Sequence, residues 1–271
     1  MRALGAATAL LAALLTACGG GGDAPAAASI AAGTSLTASI ASAQTGLAYD
    51  IDIWLPPDYG QGTAAFRVVY ATDCEYRFAT LVSVLQRRAA AGTSMILVNV
   101  CAMGSARRWI DFTLPGAAAY FRFLTLELVP FVEARYRALA TGRILTGHSL
   151  SGELALYALY LEDPAHRYFA SIVSEECSCW YDASMRFDAR LAAPAALAQA
   201  MATATAGTLP IDLVLAGDTT SNQPNVAAVY ALLLGQRYRG LRLVNPTYSI
   251  GHVPMDGPAF DEALTFILAG S

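Results

Sequence analysis

The six residues from Gly147 to Gly152, Gly-His-Ser-Leu-Ser-Gly, lie between a short apolar segment and a segment rich in alanine and leucine. A strand, a serine and a helix in this order are typical of a nucleophile elbow, a sharp turn that exposes the serine beside the first free N–H groups of the helix. Because the turn brings backbones close together, small residues are needed two positions before and after the serine. Those residues are Gly147 and Ser151, although glycine is usual at the second position. The pattern alone is common, but with these flanking segments it predicts Ser149 as a nucleophile.

A serine nucleophile needs a base, and the chain contains three histidines, His148, His166 and His252. His148 lies inside the elbow, where the usual geometry points it away from the reacting serine. His166 follows an Asp-Pro pair at a predicted helix end, which is typical of a surface position. His252 lies between a predicted strand and the last predicted helix, and the order serine, acid, histidine is that of the α/β-hydrolase fold. We therefore predict His252 as the base; the alternative is a loop histidine without a catalytic role.

Asp218 is the carboxylate predicted to orient His252. It follows a predicted strand at its carboxyl end, where the acid of such a site is required. The alternative is a loop aspartate that caps the chain around Thr220, in which case a serine–histidine dyad would use a backbone carbonyl or a water. Asp256 and Asp261 also lie near His252 in the sequence, but their positions are more typical of a turn or a helix cap.

The remaining periodicity predicts alternating strands and helices. Strands are predicted at residues 49–55, 67–72, 95–100, 143–146, 168–174, 211–216 and 241–248, and helices at 76–91, 117–137, 225–239 and 258–268. Such alternation implies an α/β fold with a mostly parallel sheet and right-handed crossovers. Sites in these sheets lie at the carboxyl ends of the strands.

Composition limits the classes of partner. The chain is 55% hydrophobic and 14% charged, which suits a buried parallel sheet, and its net charge of −4 makes nucleic acid an unexpected partner. Every basic residue is arginine, so a positive group in a binding site is a planar guanidinium suited to carboxylates, phosphates or aromatic faces. No cofactor or metal is expected, because the cysteines lack the paired C-x-x-C spacing of zinc sites. The oligomeric state stays open.

The N-terminal residues resemble a bacterial lipoprotein signal. Arg2 supplies positive charge, and the apolar stretch from Leu4 to Leu15 is too short to span a bilayer as a helix. We predict that residues 1–17 are the signal peptide and that Cys18 is lipidated, with residues 18–35 as a flexible tether to one domain at 36–271. The protein is then exported and anchored to a membrane, in the periplasm or at the cell surface. The alternative is an ordinary secretory signal that ends near a cysteine.

Further motifs carry a family resemblance. They are Leu-Pro-Pro-Asp-Tyr59, Tyr70-Ala-Thr-Asp-Cys-Glu-Tyr-Arg-Phe78, Arg107-Arg-Trp-Ile-Asp-Phe-Thr-Leu-Pro115, the segment 121–136, Gly147 to Tyr160, and Ser174 to Asp182 with Trp180-Tyr-Asp. From about Tyr49 to the C-terminus, the chain resembles the esterase branch of the α/β-hydrolases that includes enterochelin esterases, feruloyl esterases and esterase D-like enzymes. The resemblance implies an α/β-hydrolase fold and a serine esterase that acts through an acyl-enzyme. It implies a small or medium organic ester, of siderophore or aryl type, as the substrate.

The resemblance also implies the donors of an oxyanion hole. They are the backbone N–H of Leu150 and an N–H of the Asp73–Cys74–Glu75 turn, with Cys74 where the family has glycine. Other departures from the family are Ser151 in the elbow and Glu153 in the following helix, where an apolar residue is usual.

Three side chains are candidates for substrate binding. Arg107 and Arg108 follow a strand end on the expected active-site face, where a pair of solvated loop arginines is the alternative. Trp180 is expected to wall the pocket or to pack in the core. Glu175 and Glu176 are expected to form a solvated acidic rim.

The mature chain has four cysteines besides Cys18, and an exported protein permits disulfides. In the fold that the resemblance implies, the strands that precede Cys74 and Cys101 are neighbours, so a disulfide between them is expected. Cys177 and Cys179 either pair with each other or stay free.

Two other functions stay open at this point. One is a catalytically silent, ligand-binding lipoprotein that keeps the hydrolase fold. Ser151, Cys74 and the position of Asp218, two residues before the place where the family often has its acid, would support it. The other is an acyltransferase, because acceptor choice depends on access to the pocket and not on the elbow.

Overall fold

A mixed nine-stranded sheet forms the centre of the computed structural model, which describes residues 32–162, 166–179 and 208–270. The strands are β1 (Thr34–Ala41), β2 (Ala48–Leu55), β3 (Arg67–Thr72), β4 (Met95–Val100), β5 (Ile144–His148), β6 (Ser171–Glu175), β7 (Thr208–Asp218), β8 (Arg239–Val244) and β9 (Thr247–Tyr248). The helices are α1 (Cys74–Ala90), α2 (Ser105–Asp111), α3 (Gly116–Phe123), α4 (Val129–Arg135), α5 (Leu150–Leu161), α6 (Gln223–Gln236) and α7 (Asp256–Leu268). A π-helical turn, Leu124–Leu128, joins α3 to α4.

The strand order is β1-β2-β4-β3-β5-β6-β7-β8, and β9 pairs with β7. The pairs β1–β2 and β2–β4 are antiparallel, whereas the pairs from β4 through β8 are parallel. The predicted α/β class with a mostly parallel sheet is confirmed. Because β3, β5, β6 and β7 run in the same direction, the loops that follow them lie along one edge of the sheet.

Alternate residues of the buried strands face two layers of helices. In β3, Val68 and Tyr70 belong to a core that also contains side chains of α3, α5 and α6. Val69 and Ala71 belong to a second core with α1 and α7. This period of two is that of a strand, and burial on both faces explains why β3 and β4 are nearly continuous apolar runs. Both faces are therefore used for packing, which leaves the strand ends for a site.

Some boundaries differ from the predictions. Strand β1 was missed, and the predicted tether of residues 18–35 ends inside it. Its sequence, TSLTASIA, is mostly exposed at the sheet edge and lacks the alternating large apolar residues that predict a strand. The predicted helix at 117–137 is divided into α3, the π-helical turn and α4. The predicted signal peptide and Cys18 lie outside the described residues. Among the residues that are described, no helix has the length and apolar character needed to cross a bilayer.

Candidate active site

The elbow predicted from the sequence is present between β5 and α5. Ser149 has φ 60° and ψ −120°, a backbone conformation that is rare for a residue with a side chain. A Cβ atom on Gly147 would lie 2.0 Å from the carbonyl oxygen of Ser151, and one on Gly152 would lie 2.7 Å from that of Glu175. Both contacts are closer than any real Cβ allows, so glycine is required at the start of the elbow and where α5 crosses the end of β6.

Ser151, which stands where the family has glycine, is part of a hydrogen-bond network. Its hydroxyl accepts a hydrogen bond from the N–H of His148 at 3.0 Å and lies 2.9 Å from Oδ2 of Asp73. Asp73 ends the turn after β3, and its carboxylate also accepts hydrogen bonds from Nε and Nη2 of Arg108, at 2.7 and 2.8 Å. The extra hydroxyl therefore joins the elbow to the turn that precedes α1.

The imidazole of His252 has a buried carboxylate partner, Glu176. Nδ1 of His252 lies 2.8 Å from Oε2 of Glu176, which follows β6 and is fully buried. The backbone N–H groups of Asp218 and Asn222 also donate to the Glu176 carboxylate. Burial raises the pKa of Glu176, but the hydrogen bonds from His252 and these amides outweigh it and leave the pKa below its usual value. An ionised Glu176 accepts the Nδ1 proton, so Nε2 is the basic nitrogen of His252.

Asp218, predicted to contact His252, instead holds loops together. Its carboxylate accepts hydrogen bonds from the hydroxyl and N–H of Thr220 and from the N–H groups of Ile250 and Gly251, at 2.5 to 2.9 Å. The Thr220 hydroxyl is the main cause that lowers the pKa of Asp218 to about 2. The alternative of a cap around Thr220 therefore matches the structure. The prediction of a solvated rim at Glu176 is wrong, because this side chain is buried. Sequence reasoning missed Glu176 because β6 and β7 are neighbours that end at the same edge, so a carboxylate after either one can reach His252.

Ser149 and His252 line one cavity of about 260 Å³. Its other lining residues include His148, Arg77 and Arg108. Two residues of the loop after β6 also contact the catalytic candidates: Oγ of Ser149 lies 3.3 Å from Oγ of Ser178, and Glu176 holds His252. The structure thus brings together the predicted nucleophile and base, and adds the carboxylate of Glu176 from a third strand end.

Of the residues predicted to bind substrate, Arg108 lines the cavity and Arg107 does not. Arg108 lines the cavity, but Arg107 donates from Nε to Asp111 at 2.7 Å and lies 3.5 Å from the hydroxyl of Tyr49. Arg107 is thus held in a polar cluster and is not among the residues that line this cavity, and its role in substrate binding stays a prediction. Trp180 lies outside the described residues.

The predicted oxyanion donors each begin a helix. Leu150 is the first residue of α5, and Cys74 is the first residue of α1. An amide at this position has no acceptor inside its own helix. The left-handed backbone conformation in the turn before α1 belongs to Asp73, with φ 66°, and not to Cys74. The replacement of glycine by Cys74 therefore adds no backbone strain.

Two disulfides brace the loops of the site. The expected Cys74–Cys101 bond joins the start of α1 to the residue after β4. Cys177 pairs with Cys179, which closes a ring around Ser178 directly after Glu176. Both bonds therefore fix residues that are next to the candidate catalytic groups.

His148 contacts His252 through a hydrogen bond and through its ring. Its Nε2–H donates to the backbone carbonyl of His252 at 2.8 Å, and the two ring centroids are 4.6 Å apart. Burial is the main cause that lowers the pKa of His148 to about 4. His148 is therefore neutral at pH 7 and acts as a hydrogen-bond donor that fixes the loop that carries His252.

Arg77 forms a buried cluster under the cavity. Its Nε and Nη2 donate to Asp256, and Nη2 also donates to Glu175 and to Oγ1 of Thr146. The predicted solvated position of Glu175 is wrong, because this residue is fully buried. Burial raises the pKa of Glu175 well above its usual value, against the opposing effect of Arg77.

A strained serine between a strand and a helix, a histidine with a carboxylate partner, and a shared cavity define a hydrolase-type site on an α/β fold. A model of the family described as "Putative esterase" matches residues 42–234, more than half of the chain, and the chain belongs to this family. No curated protein sequence matches the chain.

Solved structures of the same fold include three hydrolases. The siderophore hydrolase EstA from Aspergillus nidulans is 21% identical, with a TM-score of 0.74, and the match covers 89% of this chain and 96% of EstA. An IroE-like serine hydrolase from Shewanella oneidensis is 19% identical, with a TM-score of 0.69 and coverage of 86% and 79%. The enterobactin and salmochelin hydrolase IroE is 19% identical, with a TM-score of 0.66 and coverage of 87% and 95%.

The pKa of His148 predicts a specific dependence of stability on pH. Since His148 has a pKa of about 4 when folded and about 6.5 when unfolded, the unfolded state binds more protons between these values. The contribution of His148 to the free energy of unfolding is therefore fully present above pH 6.5. It falls by on the order of 3 kcal/mol as the pH drops to 4. Urea unfolding of wild type and His148→Gln across this range should show a shallower pH dependence in the variant. Parallel curves would contradict the assignment.

Proposed function

We propose that this protein is a serine carboxylic-ester hydrolase that acts through an acyl-enzyme. The observation that carries the proposal is the shared cavity of Ser149 and His252, together with the 2.8 Å contact between His252 and the buried carboxylate of Glu176. Membership of the esterase family supports the same reaction class.

In the proposed reaction, Nε2 of His252 takes the proton of Ser149 as Oγ attacks the ester carbonyl. The carbonyl oxygen becomes an oxyanion, which the N–H groups of Leu150 and Cys74 would stabilise. The tetrahedral intermediate collapses to an acyl-serine, and His252 returns the proton to the leaving alcohol. Water then attacks the acyl-serine with His252 as the base, which releases the acid and restores Ser149. Glu176 keeps the Nδ1 proton and stabilises the imidazolium in each half of the cycle.

The proposed substrate is a small or medium organic ester, of siderophore or aryl type. The cavity of about 260 Å³ has the size of one moiety of such a molecule. The names of EstA and IroE, both siderophore hydrolases of the same fold, support this class. Arg108 and the exposed ring of Tyr76 lie at the cavity, with the guanidinium 5.7 Å from the ring centroid. They provide an aromatic ring and a planar guanidinium, paired with Asp73, for contact with an aryl group.

Removal of the nucleophile or the base should abolish ester hydrolysis. We expect Ser149→Ala and His252→Ala to lower kcat for short p-nitrophenyl esters by at least about a thousandfold, because neither step of acyl transfer can proceed without them. Ser35→Ala, in edge strand β1, and His166→Ala are the matched controls and should keep wild-type rates. Equal activity in all four variants would refute the proposal, whereas a folded wild type inactive on a broad ester panel would favour a binding role.

The choice between the two carboxylates is tested by their amides. Glu176→Gln should lower kcat by about a thousandfold or more, since an amide cannot hold Nδ1 of His252 in the protonated tautomer as a carboxylate does. Asp218→Asn should cause a much smaller loss of kcat and mainly reduce stability, because Asp218 ties the 250–251 loop to Thr220. Steady-state kinetics and urea unfolding separate the two effects. The reverse ranking in kcat would assign the acid to Asp218.

We also propose that the enzyme is exported and anchored through lipid on Cys18. The first 18 residues support this, and two disulfides in the domain fit an oxidising compartment. Radiolabelled palmitate should label wild-type protein in a bacterial host, and Cys18→Ser should move the protein from the membrane fraction to the soluble fraction. Unlabelled wild-type protein in the soluble fraction would exclude the anchor.

A further inference from the structure

One hydrogen bond connects the two segments that carry the proposed oxyanion donors. Ser151 directly follows Leu150 in the elbow, and Asp73 directly precedes Cys74 at the start of α1. The hydroxyl of Ser151 lies 2.9 Å from Oδ2 of Asp73. Both residues are buried, and a hydrogen bond is stronger in such surroundings than in water. This bond therefore ties the position of one donor to that of the other.

The hydroxyl proton of Ser151 has two acceptors within reach. They are Oδ2 of Asp73 at 2.9 Å and the backbone carbonyl oxygen of His148 at 3.0 Å. A carboxylate is the stronger acceptor of the two. The same hydroxyl accepts a hydrogen bond from the N–H of His148 at 3.0 Å. Ser151 therefore donates to Asp73 while its oxygen is held by the backbone of the elbow.

The carboxylate of Asp73 is turned away from the helix that it precedes. Asp73 is the N-cap residue of α1, and a carboxylate at an N-cap usually accepts the N–H of the second or third helical residue. Here the backbone of Asp73 is left-handed, with φ 66° and ψ 48°, and within the described residues its side chain makes no hydrogen bond that caps α1. Its two oxygens are bonded instead to Arg108 and Ser151. These two partners keep the carboxylate away from the amides that begin α1.

The disulfide at Cys74 does not replace the link through Ser151. It joins the start of α1 to Cys101, which follows β4. In the sheet, β3 lies between β4 and β5. The disulfide thus fixes the turn after β3 on the side of β4, whereas the elbow follows β5 on the other side. Ser151 supplies a constraint on the side of β5.

We propose that Ser151 is a positioning residue that acts through Asp73 and sets the separation of the two amides that bind the oxyanion. The inference rests on the proposed esterase function and on the roles proposed there for Leu150 and Cys74. Ser151 itself is not among the residues that line the cavity. Its loss should therefore weaken the transition state, in which the oxyanion forms, and leave substrate binding unchanged.

The first experiment measures kcat and KM of the full chain for p-nitrophenyl butyrate. We expect Ser151→Ala to lower kcat by about tenfold or more and to change KM by less than about threefold, because both halves of the reaction pass through an oxyanion. The Ki of butaneboronic acid, whose adduct with Ser149 mimics the tetrahedral intermediate, should rise by about the factor by which kcat/KM falls.

Ser174→Ala is the matched control for the loss of a buried serine hydroxyl. Ser174 is as buried as Ser151, and its hydroxyl donates to the carbonyl of Gly152 in the same helix at 2.8 Å. This variant loses a hydrogen bond between the sheet and α5 without loss of the link to Asp73. We expect it to keep the wild-type kcat and the wild-type Ki for butaneboronic acid.

A double-mutant cycle tests whether Ser151 acts through Asp73. Asp73→Gly removes the carboxylate and suits the left-handed backbone at this position. We expect Ser151→Ala to lower kcat/KM in the wild-type chain and to have no further effect in the Asp73→Gly chain. An equal loss in both chains overturns the proposal, since Ser151 would then act by another route.

Ser151→Gly, which introduces the residue that is usual in the family, is the second variant in case Ser151→Ala does not fold. Unchanged kcat in either folded variant, or the same loss of kcat in Ser174→Ala, overturns the positioning role and leaves the esterase proposal intact. Wild-type protein that hydrolyses no ester of a broad panel refutes the esterase function, and this inference with it.

Discussion

The close approach of the elbow to the ends of β5 and β6 is the constraint on which the rest of the site depends. The backbone at Gly147 passes against the carbonyl of Ser151, and Gly152 packs against the carbonyl of Glu175. Any side chain at either glycine would separate α5 from the sheet. This packing sets the strained conformation of Ser149 and places the first amides of α5 at the edge where the other strands end.

That same edge assembles the remaining groups from distant parts of the sequence. The turn after β3 supplies Asp73 and the amide of Cys74, the loop after β6 supplies Glu176, and the loop before α7 supplies His252. Disulfides and hydrogen bonds hold these loops in place. A disulfide joins Cys74 to the end of β4, and a second disulfide encloses the residue that contacts Ser149. Rigid loops of this kind suit the proposed stabilisation of an oxyanion.

The sequence was sufficient for features that are local or periodic. The elbow, the order of serine before histidine, and strands such as β3 and β4 follow from glycine spacing and apolar runs. The carboxylate partner of His252 could not be identified in this way, because Glu176 and Asp218 follow neighbouring parallel strands and their carboxylates lie in the same loop cluster. Only the hydrogen bonds in the structure distinguish Glu176, which contacts His252, from Asp218, which binds the 250–251 loop. Strand β1 was missed for a different reason, since an exposed edge strand carries little apolar signal.

The most direct test of the catalytic arrangement is a crystal structure of the protein after reaction with paraoxon. We predict a phosphoryl group on Oγ of Ser149, with its oxygen bound by the N–H groups of Leu150 and Cys74 and with Nδ1 of His252 still bonded to Glu176. An unmodified Ser149, a phosphoryl oxygen bound by other donors, or a His252 that is bonded to Asp218 would contradict it.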